Sequence, residues 1–279
     1  MTQAIQKKLN DSAFARWTAL ILVALTMFFG YMFVDVLSPL QNMLESTRGW
    51  SPTIFGLYGG SEFILNVCGF LLVAGIILDK MGVRFTGILS ASLMVLGAGI
   101  KFYGLSNYFY EGGFGYEFLS SFLTDIPASA KLACLGFMVF GCGTEMAGVT
   151  VSRAIVKWFT GKELALAMGL EMAIARLGVF AVFSLSPWVA NWGGDPSVAR
   201  PVAVVGLLLC IGLLTYIAFS VMDFKLDRQT EADTPIGETE EPFKVADLKN
   251  LFSSKTFLIV SALCVLYYSA IFPFQRFAT

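Results

Sequence analysis

Seven long apolar runs leave this chain few ways to fold. They lie at approximately residues 17–40, 56–78, 85–105, 131–154, 164–190, 201–222 and 256–274. A helix needs about 20 apolar residues to cross the hydrocarbon of a bilayer, and each run meets or nearly meets that length. Strands of a membrane barrel would be ~10 residues long and alternate in polarity; these runs are continuous. The fold class is therefore an all-α membrane protein, solvated by the lipid bilayer. The balance of residues agrees. Hydrophobic residues make up 56% of the chain and charged residues 14%, against about 25% charge in soluble domains, and mean hydropathy is +0.72. The first run is too long for a signal-peptide core, so it stays as a span.

Several function classes drop out at once. Net charge is -1 with the charges scattered, so no basic face offers itself to nucleic acid. The chain has no histidine, which removes Ser-His-Asp catalysis, His metal sites and His proton relays. With no phosphate loop and no nucleophile–base pair, an enzyme is not expected. The five cysteines, at 68, 134, 142, 210 and 264, all fall in apolar runs without C-x-x-C spacing. They read as small packing residues, and no metal or cofactor is expected.

Lys and Arg orient the spans. With the N-terminus inside, the inner segments hold Lys7, Lys8, Arg16, Lys80, Arg84, Lys157, Lys162, Lys225, Arg228, Lys244, Lys249 and Lys255. The outer segments hold Arg48, Lys101, Lys131, Arg200 and Arg276. Residues 106–130 form a long outer loop rich in Tyr, Phe and Gly, suited to the headgroup region. The expected domains are a six-helix bundle over 1–222, a cytoplasmic linker over 223–255, and a first span of an incomplete second bundle over 256–279. The linker is acidic and carries Pro235 and Pro242, and its stretch Phe243 to Phe252 has helical spacing suited to a membrane surface. Pro39-Leu40-Gln41 near the end of span one is echoed by Pro273-Phe274-Gln275 in span seven, as parallel repeats would place them. The chain reads as the N-terminal portion of a twelve-span protein. Its acidic linker and short N-terminus suggest a bacterial inner membrane.

Within the apolar runs, Glu145 and Arg176 stand out. The loop Trp158 to Glu163 joins their two runs, and the midpoint between positions 145 and 176 falls inside it. In an antiparallel helix hairpin the two side chains lie at the same depth. Ionisable groups there cost at least ~2.5–3.5 kcal/mol each and mark a solute or ion pathway by default. The bland alternative is an internal salt bridge that only packs the bundle. Glu62, Arg153 and Glu171 are further charges in spans, candidates for ion or proton coupling. Arg153 lies eight residues from Glu145, ~80° around and ~12 Å along a helix, near the inner end, where it can simply snorkel. Glu171 is ~140° from Arg176, so the two cannot both point squarely into one cavity. The small-residue pairs Gly56–Gly60 and Gly169–Ala173 have the spacing of helix-packing seams.

The loop after span two reads Gly75, then Asp79-Lys80, then Gly82 and Arg84. Gly75 allows close helix approach, Asp79 ends a helix, Gly82 permits a tight turn, and Lys80 and Arg84 hold the loop inside. This resembles the G-x-x-x-D-(R/K)-x-G-x-R signature of the major facilitator superfamily. The resemblance implies two six-helix bundles rocking around a central site, with these five residues as a conformational latch. A second stretch is sharper: Gly141-Cys142-Gly143-Thr144-Glu145, then Trp158-Phe159-Thr160-Gly161-Lys162-Glu163-Leu164, then Met168-Gly169-Leu170, then Ala175-Arg176-Leu177-Gly178. It resembles the branch of that superfamily containing the lysosomal dipeptide transporters of animals, with Thr160 in place of a lysine. Tyr267-Tyr268 and Phe272-Pro273-Phe274 add to the likeness, and Asp35 with Leu40-Gln41 is a looser match. The resemblance implies that Glu145, Arg176 and Asp35 bind the ends of a short peptide-like solute. A carboxylate suits an α-ammonium, and a guanidinium grips an α-carboxylate bidentately. Two other readings stay open: a proton-coupled transporter of small organic or inorganic anions, and a non-transporting receptor or interaction subunit. No accessory subunit can be named.

Overall fold

The computed structural model describes residues 8–231 and 252–277. They fall into two compact units divided at Thr234/Pro235. The residues of the expected surface helix before Phe252 lie outside the described residues.

In the first unit, α1 (Ala13–Val34) ends at Asp35, and a 3-10 turn over Ser38–Leu40 carries Pro39 at its start. The short α2 (Gln41–Arg48) stops at Gly49, whose φ of 70° lets its N–H fold back onto the Glu45 carbonyl, a glycine C-cap. Ser51 then caps α3 (Pro52–Leu65), accepting from the Ile54 N–H at 3.3 Å, with Pro52 in the first turn. Proline is tolerated there because that N–H has no helical partner anyway. A π turn over Asn66–Phe70 follows, with Gly69 at φ 107°.

Helix α4 (Leu71–Leu105) is too long for one span, and it belongs to two. Gly82 breaks it with φ 74° and ψ 174°, a conformation open to glycine alone. Contacts with α7 (Ala128–Phe159) prove the reversal. Before Gly82 they climb together: Trp50 Nε1 donates to Ser129 Oγ at 3.0 Å, the Tyr58 and Phe137 rings stack at 4.7 Å, and Asn66 Nδ2 donates to the Gly141 carbonyl. After Gly82 they run oppositely. A Cβ on Gly143 would sit 2.6 Å from the Ser90 carbonyl oxygen, and one on Gly136 2.6 Å from the Lys101 nitrogen. Residues 52–81 and 83–105 therefore form an antiparallel pair around α7.

Two short helices, α5 (Asn107–Tyr110) and α6 (Tyr116–Ser120), occupy the long aromatic loop. Helices α8 (Leu164–Ala190) and α9 (Ala199–Glu231) complete six spans. The expected bundle end at 222 is passed by nine helical residues, because Asp223 and Asp227 on that extension are ion-paired to the bundle. The second unit holds the apolar helix α10 (Lys255–Phe277). The protein is thus a multi-pass integral membrane protein. Its membrane faces are named here by the chain: the N-terminal face carries the start of α1, the Gly82 turn and the α7–α8 turn; the far face carries α2, α5 and α6.

Packing is closest at glycines, though not at all the expected ones. Gly97, Gly136, Gly141 and Gly143 hold the α4–α7 and α3–α7 seams, and Gly178 meets the Phe28 carbonyl of α1. Gly60 and Gly169 face open space, and Ala173 is exposed. Gly60, Gly169 and Ala173 therefore form no seam among the described residues. Gly75 likewise meets nothing within 4 Å, so the close approach expected there is absent among the described residues.

Candidate functional site

Helix α1 is the ruler for depth. Trp17 packs edge-on to Phe159 at 5.5 Å and Phe33 packs on Phe140 at 4.7 Å, so α1 and α7 are antiparallel. Interpolating between those contacts sets Glu145 level with about residue 29 of α1. Helix α8 runs parallel to α1, from the Arg16–Glu163 pair at 3.1 Å to Gly178 against Phe28. The Arg176 guanidinium carbon lies 5.2 Å from the centre of the Tyr31 ring. Glu145 and Arg176 are therefore level to within about one helical turn.

They do not bond to each other. Glu145 is half-buried and has no ion pair or hydrogen bond with any described residue; Arg176 is exposed, with the Tyr31 ring against it and no ion pair to a described residue. An internal salt bridge is not what this structure contains. Glu171 points elsewhere. It lies on the packed stripe Ala167, Glu171, Ala175, Gly178 of α8, is 6% exposed, and makes no hydrogen bond or ion pair with a described residue. Glu62 is buried where α3 meets α7, with its carbonyl and Cγ against Gly141, one turn from Glu145. Asn66 bridges the same seam, donating to the Gly141 and Glu62 carbonyls at 3.3 and 3.4 Å.

Asp35 sits nearer the far face, about 6 Å beyond the Tyr31 level along α1. It is buried at the helix end and accepts from Ser38 Oγ at 3.1 Å. Lys101, expected in an outer segment, is instead fully buried. Its ammonium donates to the Phe33 carbonyl at 3.5 Å and lies 4.3, 4.5 and 5.0 Å from the ring centres of Phe33, Phe137 and Tyr58. The last carbonyls of a helix lack helical donors and carry partial negative charge, so the lysine from α4 caps α1.

Of the residues expected to form a latch, Asp79, Lys80, Gly82 and Arg84 gather at the N-terminal face. Asp79 pairs with Arg153, joining α4 to α7. Arg153 is thus engaged at the inner end rather than beside Glu145. Arg84 reaches Asp227 at 3.2 Å and Asp223 at 3.9 Å; Lys157 reaches the same two at 2.6 and 2.8 Å. Trp158 Nε1 donates to Asp223 at 2.9 Å, and the Tyr216 hydroxyl donates to the Val83 carbonyl beside the Gly82 turn. Lys80 is exposed. Beneath them, Lys162 pairs with Asp11 at 2.9 Å, so the residues before α1 are tied to the α7–α8 turn.

Sequence reasoning passed over Tyr31, Asn66, Lys101, Asp223 and Asp227. The two aspartates had a signal in their i, i+4 spacing on one helix face; the others had none. No group of three or more metal-ligating side chains occurs among the described residues.

The chain spans about half the length of the curated relatives it matches. Over 271 residues, 93% of this chain and 52% of the relative, it is 27% identical to the lysosomal dipeptide transporter MFSD1 of Pongo abelii. Over 145 residues, 50% of this chain and 32% of the relative, it is 35% identical to the protein of that name from Gallus gallus. The Homo sapiens protein is 32% identical over 146 residues, 50% of this chain and 30% of its own. No solved structure matches. Residues 20–277 match the Major Facilitator Superfamily over nearly the whole chain; with six spans, the Gly82 turn and its charge cluster already in place, the chain belongs to that superfamily.

Proposed function

We propose that this chain is the N-terminal bundle, linker and first following span of a secondary transporter, which moves short peptides or similar small zwitterions by alternating access. The observation that carries this is the pair Glu145 and Arg176: level in depth, opposite in charge, and bonded neither to each other nor to another described charge. A zwitterion offers each its complement, an ammonium for Glu145 and a carboxylate for the Arg176 fork. The relatives support the solute class, since their printed names are those of dipeptide transporters. The N-terminal face is cytoplasmic in this reading, by the Lys and Arg count, and the charges around Gly82 form the latch that holds this bundle together as it rocks. A bacterial inner membrane is an expectation from sequence alone, and the relatives, animal proteins whose printed names are lysosomal, do not support it.

A thermal-shift screen of the full-length protein against a dipeptide library tests the reading. Dipeptides should raise the melting temperature, and Glu145→Gln and Arg176→Ala should each abolish the rise while the protein stays folded. Unchanged peptide-dependent stabilisation or uptake in both variants would overturn it. One observation favours a second reading, proton-coupled movement of a small anion: Glu171 is a buried carboxylate with no described partner. Uptake of anions that depends on a proton gradient and on Glu171, with no response to dipeptides, would select that reading instead.

A further inference from the structure

Helix α4 has an apolar notch in its far-face half that nothing described fills. Two grooves open beside it. One, about 710 Å³, lies between α4 and α7 under the roof of α6, walled by Ile100, Tyr103, Phe118 and Leu135. The other, about 380 Å³, lies between α4 and α9, walled by Ala98, Phe102, Val202 and Leu207. They share a floor at Val95 and Gly99, and a Cβ on Gly99 would meet nothing within 4 Å. The sequence neighbours Phe102 and Tyr103 fall one in each groove. The α4 ridge therefore stands between two apolar slots that diverge from one place.

The rim is basic. Lys131, beside the groove wall residue Leu132, points at the Leu119 and Phe122 carbonyls. Arg200, two residues before Val202, points at the Ala190, Trp192 and Asp195 carbonyls. Neither is ion-paired with a described carboxylate, so each slot has an unneutralised cation at its far-face end. Around them stand the exposed aromatics Tyr108, Tyr110 and Phe118, side chains that settle at the headgroup level.

We propose that this is a site for one diacyl phospholipid of the far-face leaflet, straddling α4 with one acyl tail in each groove and its phosphate at the Lys131–Arg200 rim. The walls are apolar but for the Cys210 thiol and the Tyr103 hydroxyl, which donates to the Phe114 carbonyl; the slots lie inside the span and open sideways, and the medium there is lipid. Two slots on either side of one ridge, each with a cation at its far-face end, suit two chains that hang from one head. The cations favour an anionic headgroup, since phosphate-level charge adds to tail burial. The site does not depend on the transported solute.

The test uses the full-length protein in nanodiscs containing a trace of phosphatidylglycerol with a photoactivatable acyl tail, and peptide mapping after illumination. Label should concentrate on peptides covering 95–103, 132–135 and 202–210. Gly99→Leu, filling the shared floor, should remove it from both grooves while background label on α1 and α8 persists. The pair Lys131→Gln and Arg200→Gln should lower labelling by phosphatidylglycerol more than by phosphatidylcholine. Should Gly99→Leu fail to fold, Leu135→Trp should close the α4–α7 groove alone and spare label at 202–210. Even labelling over all exposed faces, or labelling unmoved by these substitutions, would overturn the site. Label in one groove only would overturn the straddling arrangement. No label in either would mean that a protein helix covers them, which also ends the proposal.

Discussion

Asp223 is the sharpest place to test the energetics, because its carboxylate is fully buried while its cationic partners are not. It takes Lys157 at 2.8 Å, the Trp158 indole at 2.9 Å and Arg84 at 3.9 Å. Asn at 223 is the same size and its Oδ1 still accepts from the indole, but its amide nitrogen cannot accept from Lys157, so the charge and that one bond are lost. Lys157 and Arg84 are 31% and 37% exposed and keep Asp227 at 2.6 and 3.2 Å. The loss therefore stays well below the 3–5 kcal/mol of a broken, fully buried pair and above the 0.2–1 kcal/mol of an exposed one; about 1.5 kcal/mol is expected. Asp223→Ala also strands the indole N–H, adding about 1–3 kcal/mol. At roughly 2–4 °C per kcal/mol for a domain of this size, Asn should lower the melting temperature by about 3–6 °C and Ala by about twice that. Asp223→Asn with Asp227→Asn leaves both cations without a carboxylate, so the double loss should exceed the sum of the singles by ~1 kcal/mol or more. Intrinsic fluorescence melting of the full-length protein in detergent reads all four. If Ala is no worse than Asn, the indole bond contributes nothing; if the double variant is additive, the cations do not share the two aspartates.

Two further outcomes follow from packing and charge. Lys101→Met keeps the length of the side chain but removes the donor to the Phe33 carbonyl and the cation among three rings; a loss of about 2 kcal/mol is expected, and an unchanged melting temperature would show that the carbonyl of α1 needs no cap. At the N-terminal face, the ammonium of Lys162 holds the Asp11 carboxyl below its usual range, and the Glu163 carboxyl is held down by its own backbone N–H and by Arg16. Groups with lowered values add stability above their unfolded titration range and lose it as pH falls through the folded value. The ties of residues 8–16 to the α7–α8 turn should therefore hold at neutral pH and loosen only below about pH 4, seen as faster amide exchange there. Loosening between pH 5 and 7 would show that other groups govern it.

Span number and depth were legible because the bilayer imposes them. A run of about 20 apolar residues has one use, and a 31-residue spacing across a short turn fixes which residues are level. Gly82 was legible for the same kind of reason: only glycine takes its backbone there. What stayed hidden was lateral. Apolar runs look alike from every side, so nothing in the sequence distinguished Gly136, which touches the backbone of Lys101, from Gly169, which faces open space. Lys101 itself read as an outer-segment charge, since aromatic and carbonyl partners from three different helices assemble around it only in the fold. Asp223 and Asp227 showed only their i, i+4 spacing; among charges of both signs, a helix end and a linker look the same in sequence.

The fold sorts its charges into two kinds, and the sorting is an argument about purpose. At the N-terminal face nearly every charge has a partner: Asp79 with Arg153, Arg84 and Lys157 with Asp223 and Asp227, Asp11 with Lys162. Those groups hold helices together, and removing one should cost stability. At mid-depth, Glu145 and Arg176 stand level and unbonded among the described residues, where ionisable groups are most expensive to keep. A pair kept for packing would have closed on itself. So the two clusters should respond in opposite ways to neutral isosteres. Asp223→Asn should lower the melting temperature without solute, whereas Glu145→Gln should leave it unchanged or raise it, since a half-buried charge without a partner is a cost that the amide removes. If Glu145→Gln destabilises the solute-free protein as much as Asp223→Asn does, Glu145 is a structural residue and the proposed binding pair loses its acid.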